Sequence, residues 1–209
     1  MSVITAITLQ KNNKERCNLF VDGEFFAGVS LETVMRFRLK VNAETDAEKL
    51  AEILDSAEKQ EATEKAIAYS AKSLKTKKQV KDYLLRRGYK ESTVWYCIDK
   101  LKEYSYIDDG EYSKRYIEST AKTQGKRLIE YKLMMKGVKK EDIEKAFENA
   151  ETDDAENARR LAEKHLRNKE ITAENVRKTY KYLIGRGFSY EQADDAIKKF
   201  RAETDDGRD

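Results

Sequence analysis

The chain has no proline, one histidine, two cysteines and no run of 18 apolar residues in its 209 positions. Each shortage excludes something. With only His165, no triad using a second histidine, no His-Glu-x-x-His zinc site and no Cys/His finger can be assembled; His165 itself lies on a helical run with Leu161 and Leu166 and reads as a packing or surface residue. Neither G-x-x-x-x-G-K-[ST] nor G-x-G-x-x-G occurs, which removes the usual phosphate cradles. The absence of a long apolar run and of a charged-then-apolar leader points to a soluble, unexported, cytoplasmic chain with no membrane contact. In that compartment Cys17 and Cys97 are expected as free thiols.

Charged residues are 39% of the chain, and with proline absent the composition is that of a helical protein. The apolar fraction, also 39%, is thin for one deep core and suits several small modules that each bury one stripe. The net charge is only +3, yet it is unevenly placed. Residues 1–65 carry 9 Lys+Arg against 12 Asp+Glu, whereas residues 66–108 carry 10 against 5, 109–150 carry 10 against 8, and 155–201 carry 12 against 7. The three later blocks are each basic, so a basic surface is compatible with the near-neutral total.

The first 30 residues hold short β-branched and aromatic runs, "SVITAITLQ", "RCNLFV" and "EFFAGVS", and Asp22-Gly23 between the last two is a hairpin-turn signal. Three antiparallel strands are expected. Ser30 caps a short helix from Leu31 with Val34, Phe37 and either Leu31 or Arg38 on successive turns, and an acidic helix begins near Thr45 with Leu50, Ile53, Leu54 and Ala57 on one face.

A repeat then takes over. "YLLRRGY", "KLMMKGV" and "YLIGRGF" set Gly88, Gly137 and Gly187 in register, each with a leucine four residues before it (Leu84, Leu133, Leu183), a cation one before it (Arg87, Lys136, Arg186) and an apolar residue one after it (Tyr89, Val138, Phe188). This is a left-handed C-terminal helix cap with its hydrophobic clasp; the cation suits either the helix dipole or a partner. Downstream, Val94, Cys97, Ile98 and Leu101 align with Ile143, Ala146, Phe147 and Ala150 and with Ala193, Ala196, Ile197 and Phe200, the i, i+3, i+4, i+7 stripe of a helix. Upstream, "DDGEYSKRY" aligns with "DDAENARRL", so each unit is three helices. Thr76 and Gln79 form a capping box, and Asp109 and Asp154 are candidate N-caps. The Asp108-Asp109 and Asp153-Asp154 pairs suit a hard cation, but capping explains them without one, and neither metal nor other cofactor is expected.

The expected architecture is mainly α: an extension over 1–60 with a small three-stranded antiparallel element and helices, three-helix repeats at 61–107, 108–152 and 153–203 in an elongated, curved array, and an acidic tail at 204–209. Ten residues before each glycine stands a further cation, Lys78, Arg127 or Arg177. Residues 72–90 hold eight cations and one acid, Asp82; residues 122–140 hold seven and one acid, Glu130. Such middle helices present a basic stripe to an acidic protein surface or to phosphates. Tyr69, Tyr83, Tyr112, Tyr116 and Tyr182 fall on or beside apolar stripes and are expected in cores. No acid/base pair stands out, and no enzyme is expected.

"KTKKQVKDYLLRRGY", "LKEYSYIDDGEYSKRYI" and "GKRLIEYKLMMKGV" resemble the RecX regulatory proteins of bacteria, and "VDGEFFAGVS" resembles the N-terminal extension of their Gram-positive members. The chain departs from the family pattern at Lys75-Thr76, Gln79, Ser113 and Lys132. The resemblance implies a non-enzymatic modulator that binds RecA filaments on single-stranded DNA and suppresses recombinase and ATPase activity, the repeats of a monomer touching neighbouring subunits together. On that reading the contact residues are Lys78, Lys81, Arg86, Arg87, Arg127, Lys136, Arg177, Lys181 and Arg186, with single-stranded DNA touched directly or through RecA. The alternative is a helical repeat protein acting on nucleic acid directly, because three short helices with a glycine turn resemble helix-turn-helix modules.

Overall fold

A computed structural model describes residues 1–206 as two compact units, residues 1–107 and the described part of 108–209. Unit 1 begins with β1 (Ser2–Leu9), β2 (Arg16–Val21) and β3 (Glu24–Ser30), joined antiparallel, with Asp22 and Gly23 at φ 51° and 87° making the tight turn between β2 and β3. The expected three strands are present, together with a short fourth, β4 (Glu44–Thr45), which pairs with Ser2 and Val3 and gives the order β3-β2-β1-β4. Ser30 caps α1 (Leu31–Arg36) by accepting from the Thr33 amide at 3.0 Å.

Asp46 caps α2 (Ala47–Ala71), whose 25 residues run straight across the expected boundary at 60/61. Its first half buries Leu50 and Leu54 under the sheet with Ile4, Leu19 and Val29. Its second half buries Ala62 and Ala66 in the core of the first repeat. Ile53, expected on the apolar face, is 44% exposed. One helix therefore serves both the sheet and the repeat.

The first repeat is completed by α3 (Lys77–Arg86) and α4 (Glu91–Glu103); unit 2 contains α5 (Asp109–Thr120), α6 (Lys126–Met135), α7 (Lys140–Glu148), α8 (Asp154–Leu166), α9 (Ala173–Gly185) and α10 (Tyr190–Asp206). The aligned stripe positions pack as expected: Val94, Cys97, Ile98 and Leu101 are fully buried, Ile143 and Ala146 are buried in the second repeat, and Ala193, Ala196, Ile197 and Phe200 in the third. Cys17 and Cys97 are buried free thiols. The start of the acidic tail, 204–206, belongs to α10, and 207–209 lie outside the described residues. Among the described residues no helix is long and apolar enough to cross a membrane.

The three glycine turns are one structure repeated. Gly88, Gly137 and Gly187 have φ of 80°, 85° and 89°. The Gly88 amide donates to Leu85 O and the Tyr89 amide to Leu84 O; Gly137 and Val138 donate to Met134 and Leu133, and Gly187 and Phe188 to Ile184 and Leu183. This is the Schellman pattern, and its apolar clasp is Leu84 with Tyr89, Leu133 with Val138, and Leu183 with Phe188, all six side chains buried.

At the N-terminal ends one expectation needs correcting. The caps of α5 and α8 are Asp108 and Asp153, which accept from Gly110 and Glu111 amides and from the Glu156 amide; Asp109 and Asp154 are the first helical residues. A capping carboxylate must stand on an extended residue just outside the helix, and Asp108 (ψ 113°) and Asp153 (ψ 92°) hold that conformation. Asp154 caps elsewhere, accepting from the Lys126 amide at 2.9 Å at the start of α6. Burial pushes its carboxyl above the ordinary carboxylate value, partly offset by that amide and by the Lys126 charge.

In two of the repeats the carbonyl that ends the middle helix is a docking point. Arg87 O accepts from the Asn13 side chain at 3.1 Å in unit 1, and Arg186 O accepts from the Gly125 amide at 2.9 Å in unit 2. The second contact is close: a Cβ on Gly125 would stand 2.6 Å from the Phe188 nitrogen, and one on Gly187 2.6 Å from the Leu128 nitrogen. At Gly88 the nearest atom to an added Cβ is Arg16 Cδ, a side-chain carbon, at 3.3 Å. Gly88→Ala is therefore expected to cost about 1–2 kcal/mol, the left-handed penalty with a small adjustment of Arg16, and Gly187→Ala about 3 kcal/mol because backbone must also move. Urea denaturation of the two variants checks the ranking, and equal losses would contradict it.

Candidate partner-binding face

The nine cations expected at the contact do not form one stripe. The cation ten before each glycine and the cation one before it are nine residues apart, which on a helix is about two and a half turns, so they point to opposite sides. Lys78 and Arg127 stand at the second position of α3 and α6, and Arg177 at the fifth of the longer α9. All three are exposed. Continuing at steps of four, the same exposed face carries Asp82 and Arg86 on α3, Tyr131 and Met135 on α6, and Lys181 and Gly185 on α9.

Cations in the first turn of a helix oppose its dipole, and α3 and α6 each place two there, Lys77 with Lys78 and Lys126 with Arg127, with no acid in either first turn. Folding does not ask for that arrangement. The Thr76–Gln79 capping box and the Asp154 carboxylate satisfy the helix starts while leaving the positive charge outward.

The second set, Arg87, Lys136 and Arg186, sits over aromatic rings. Arg87 lies 4.0 Å from the centre of the Tyr83 ring and Arg186 lies 5.0 Å from that of Tyr182; Lys136 is 5.9 Å from Tyr112 and 5.8 Å from Tyr116. Under each cation is a stacked pair: Tyr69 with Tyr83 at 4.0 Å, Tyr112 with Tyr116 at 6.1 Å, and His165 with Tyr182 at 4.6 Å. The tyrosines expected in cores are partly buried against them, and their outer faces carry the cations. Each such contact contributes roughly 0.5–1 kcal/mol at an exposed site. Sequence reasoning missed this, although Tyr83 with Arg87 and Tyr182 with Arg186 have the i, i+4 spacing that brings side chains together.

The remaining members are scattered. Lys81 turns toward α4, 4.8 Å from the centre of the Trp95 ring and 3.9 Å from Glu91, and Arg86 donates from Nε to the Asp82 carbonyl. Arg127 lies 5.9 Å from the ring centre of Tyr190, the first residue of α10. Among the described residues no group of three or more His, Cys, Asp or Glu side chains is placed to hold a metal ion.

His165 has a structural part. Its Nδ1 lies 2.9 Å from Thr179 Oγ1, whose own hydroxyl donates to Asn175 O, and its Nε2 lies 3.1 Å from Lys169 Nζ. Those partners suit a neutral ring with the proton on Nδ1, and burial followed by the Lys169 charge holds its pKa below the ordinary value. In unit 1 a second set of polar contacts fastens the sheet to the first glycine turn. Arg16, 5% exposed, packs against Gly88, lies 5.2 Å from the centre of the Tyr89 ring and 3.8 Å from Glu58. The Tyr89 hydroxyl donates to Glu61 at 2.8 Å, and Lys65 donates to the same carboxylate at 2.6 Å.

This arrangement of a small sheet followed by three-helix units is matched by the model of the regulatory protein RecX N-terminal domain over residues 2–46 and by those of the second and third RecX three-helix domains over 108–146 and 151–197. The chain is 37% identical to the regulatory protein RecX of Clostridium beijerinckii over 207 residues, covering 97% of each. The chain belongs to the RecX family. That of Clostridium tetani is 32% identical over 94% of this chain and 93% of its own. A crystal structure of a regulatory protein RecX superposes with a TM-score of 0.64 at 26% identity, covering 95% of this chain and all of its own, and RecX from Lactobacillus salivarius with 0.58 at 25% identity, covering 72% and 98%. RecX proteins are regulators rather than enzymes.

The Glu61 contact gives a pH dependence with a definite sign. Burial raises the Glu61 carboxyl, but hydrogen bonds from Lys65, Ser30 and Tyr89 outweigh it and hold the group below its ordinary 4.5. A carboxylate with a depressed pKa in the fold contributes stability that is present above the unfolded value and lost as pH falls through the folded one. Glu61→Gln is expected to be less stable than wild type at neutral pH and to lose less stability on going below pH 4.5. Urea titrations followed by fluorescence of Trp95, the single tryptophan, report this for unit 1; parallel acid limbs in the two proteins would rule it out.

Proposed function

We propose that this chain is a cytoplasmic modulator that binds RecA filaments on single-stranded DNA through the exposed outer face of α3, α6 and α9, and that it suppresses strand exchange and ATP hydrolysis, thereby tuning DNA repair and recombination. The observation that carries the reading is the recurrence of an outward cation on the middle helix, Lys78, Arg127 and Arg177, in register with three identical turns; Lys78 and Arg127 also stand against the helix dipole. Family membership supports a regulatory role, and the resemblance on which it was first drawn supplies RecA as the partner.

A repeated outward charge suits a partner that is itself repeated. A filament offers the same surface at every subunit, so three weak contacts made by one monomer gain by effective concentration. Trp95 favours the second reading, direct nucleic-acid binding: it is 39% exposed, with Lys77 and Lys81 4.7 and 4.8 Å from its ring centre, a combination that suits a stacked base beside a phosphate.

The experiment that separates the readings is the DNA-dependent ATPase of RecA on saturating single-stranded DNA, with this chain added below the RecA concentration. Suppression at sub-stoichiometric amounts is expected, and Lys78→Glu, Arg127→Glu and Arg177→Glu are each expected to raise the concentration for half-inhibition about five- to tenfold, the effect of losing about 1 kcal/mol of charge contact. Unchanged inhibition in all three variants would sink the assignment of this face. No inhibition by wild type, with steeply salt-dependent binding to bare DNA, would replace the filament reading with the nucleic-acid one.

A further inference from the structure

The outer face of the middle helix is built alike in the three repeats but filled differently. At steps of four from the leading cation, α3 carries Asp82 and Arg86, α9 carries Lys181 and Gly185, and α6 carries Tyr131 and Met135. Tyr131 is 56% exposed, Met135 60% and Met134, between them on the same face, 49%. At the positions aligned with Met134 the other repeats have Leu85 and Ile184, and both of those pack partly into their cores. Of the three middle helices, α6 therefore turns an aromatic and two thioether side chains outward on the face that begins with Arg127. The helix does not need them there, since its core contacts are made by Ile129 and Leu133 on the opposite side.

From this arrangement we infer that α6 is the apolar anchor of the partner interface, and that it takes a protein surface presenting apolar side chains beside carboxylates. The occupant follows from charge. Residues 122–140 hold seven cations, and their one acid, Glu130, stands 3.8 Å from Lys126. Arg127 and the exposed Tyr190 close one end of the patch. An excess of positive charge on the helix that carries the tyrosine and methionines calls for negative charge beside an apolar centre. A phosphate backbone would meet the cations but leave Met134 and Met135 against water or charge, which gains nothing. Methionine adapts to an irregular partner, and tyrosine covers large area at little entropic cost. Anchors of this kind dominate interfaces, while the surrounding charges set encounter and register.

This inference rests on the filament reading, and the test separates the two. Binding of the full chain to RecA assembled on a single-stranded oligonucleotide is measured over a salt series, beside binding to the bare oligonucleotide. Tyr131→Ser combined with Met134→Ser is expected to weaken filament binding at least tenfold at every salt concentration and to leave the salt slope unchanged, whereas Arg127→Glu is expected to lower that slope. Because both side chains are exposed, the thermal midpoint of the double variant is expected to stay within a few degrees of wild type. Wild-type affinity in the double variant, while wild type itself binds, would overturn the anchor and leave the filament reading standing. An equal loss on bare oligonucleotide, or a large fall in thermal midpoint, would also overturn it. Failure of wild type to bind the filament would remove the filament reading and the anchor with it.

Discussion

A glycine held at positive φ at the end of each middle helix is the constraint on which the repeats depend. Only at that angle does the amide after the glycine join the glycine's own in turning back onto the carbonyls of the last turn, and only then does Tyr89, Val138 or Phe188 fold over its leucine. The clasp fixes the direction in which the third helix leaves, which in turn decides which side of the middle helix is covered. Everything described as a surface is what that turn leaves outside.

The same turn is also a place for attachment. Its terminal carbonyl has no partner within the helix, and the chain twice supplies one from elsewhere: the Asn13 amide in unit 1 and the Gly125 amide in unit 2. In unit 1 the attachment is reinforced by buried charge, with Arg16 beside Glu58 and Tyr89 on Glu61. In unit 2 it is backbone against backbone, with Asp154 holding the start of α6 and Arg160 donating to Lys122 O. The small sheet is thus joined to the first repeat through the feature that makes it a repeat, and α2 belongs to both.

Much of this is legible in the sequence because it is local. The Thr76–Gln79 box, the Ser30 cap, the Asp22-Gly23 turn and the three glycine caps each depend on residues a few positions apart, where residue type and spacing carry the geometry. What the sequence hides is register and direction. Asp109 and Asp154 are off by one residue as caps because two adjacent aspartates satisfy the same pattern and only ψ distinguishes them. Strand β4 is two residues of ordinary composition whose pairing with Ser2 and Val3 is entirely non-local. The division of the basic residues into opposite sides follows from a nine-residue spacing, and reading them as one stripe overlooked the half turn it contains. The stacked rings under the C-terminal cations come from different helices in the first and third repeats, so no single segment announces them.

The central claim is that one turn-defined face, repeated, meets the filament. The most direct test is lysine and arginine modification of the full chain, free and on RecA–single-stranded DNA filaments, read residue by residue by mass spectrometry. The account predicts protection at Lys78, Arg127, Arg177 and Lys181, with exposed cations on other faces, such as Lys49 and Lys164, reacting as they do in the free chain. Protection of Lys49 and Lys164 with Lys78, Arg127 and Arg177 unchanged would contradict it.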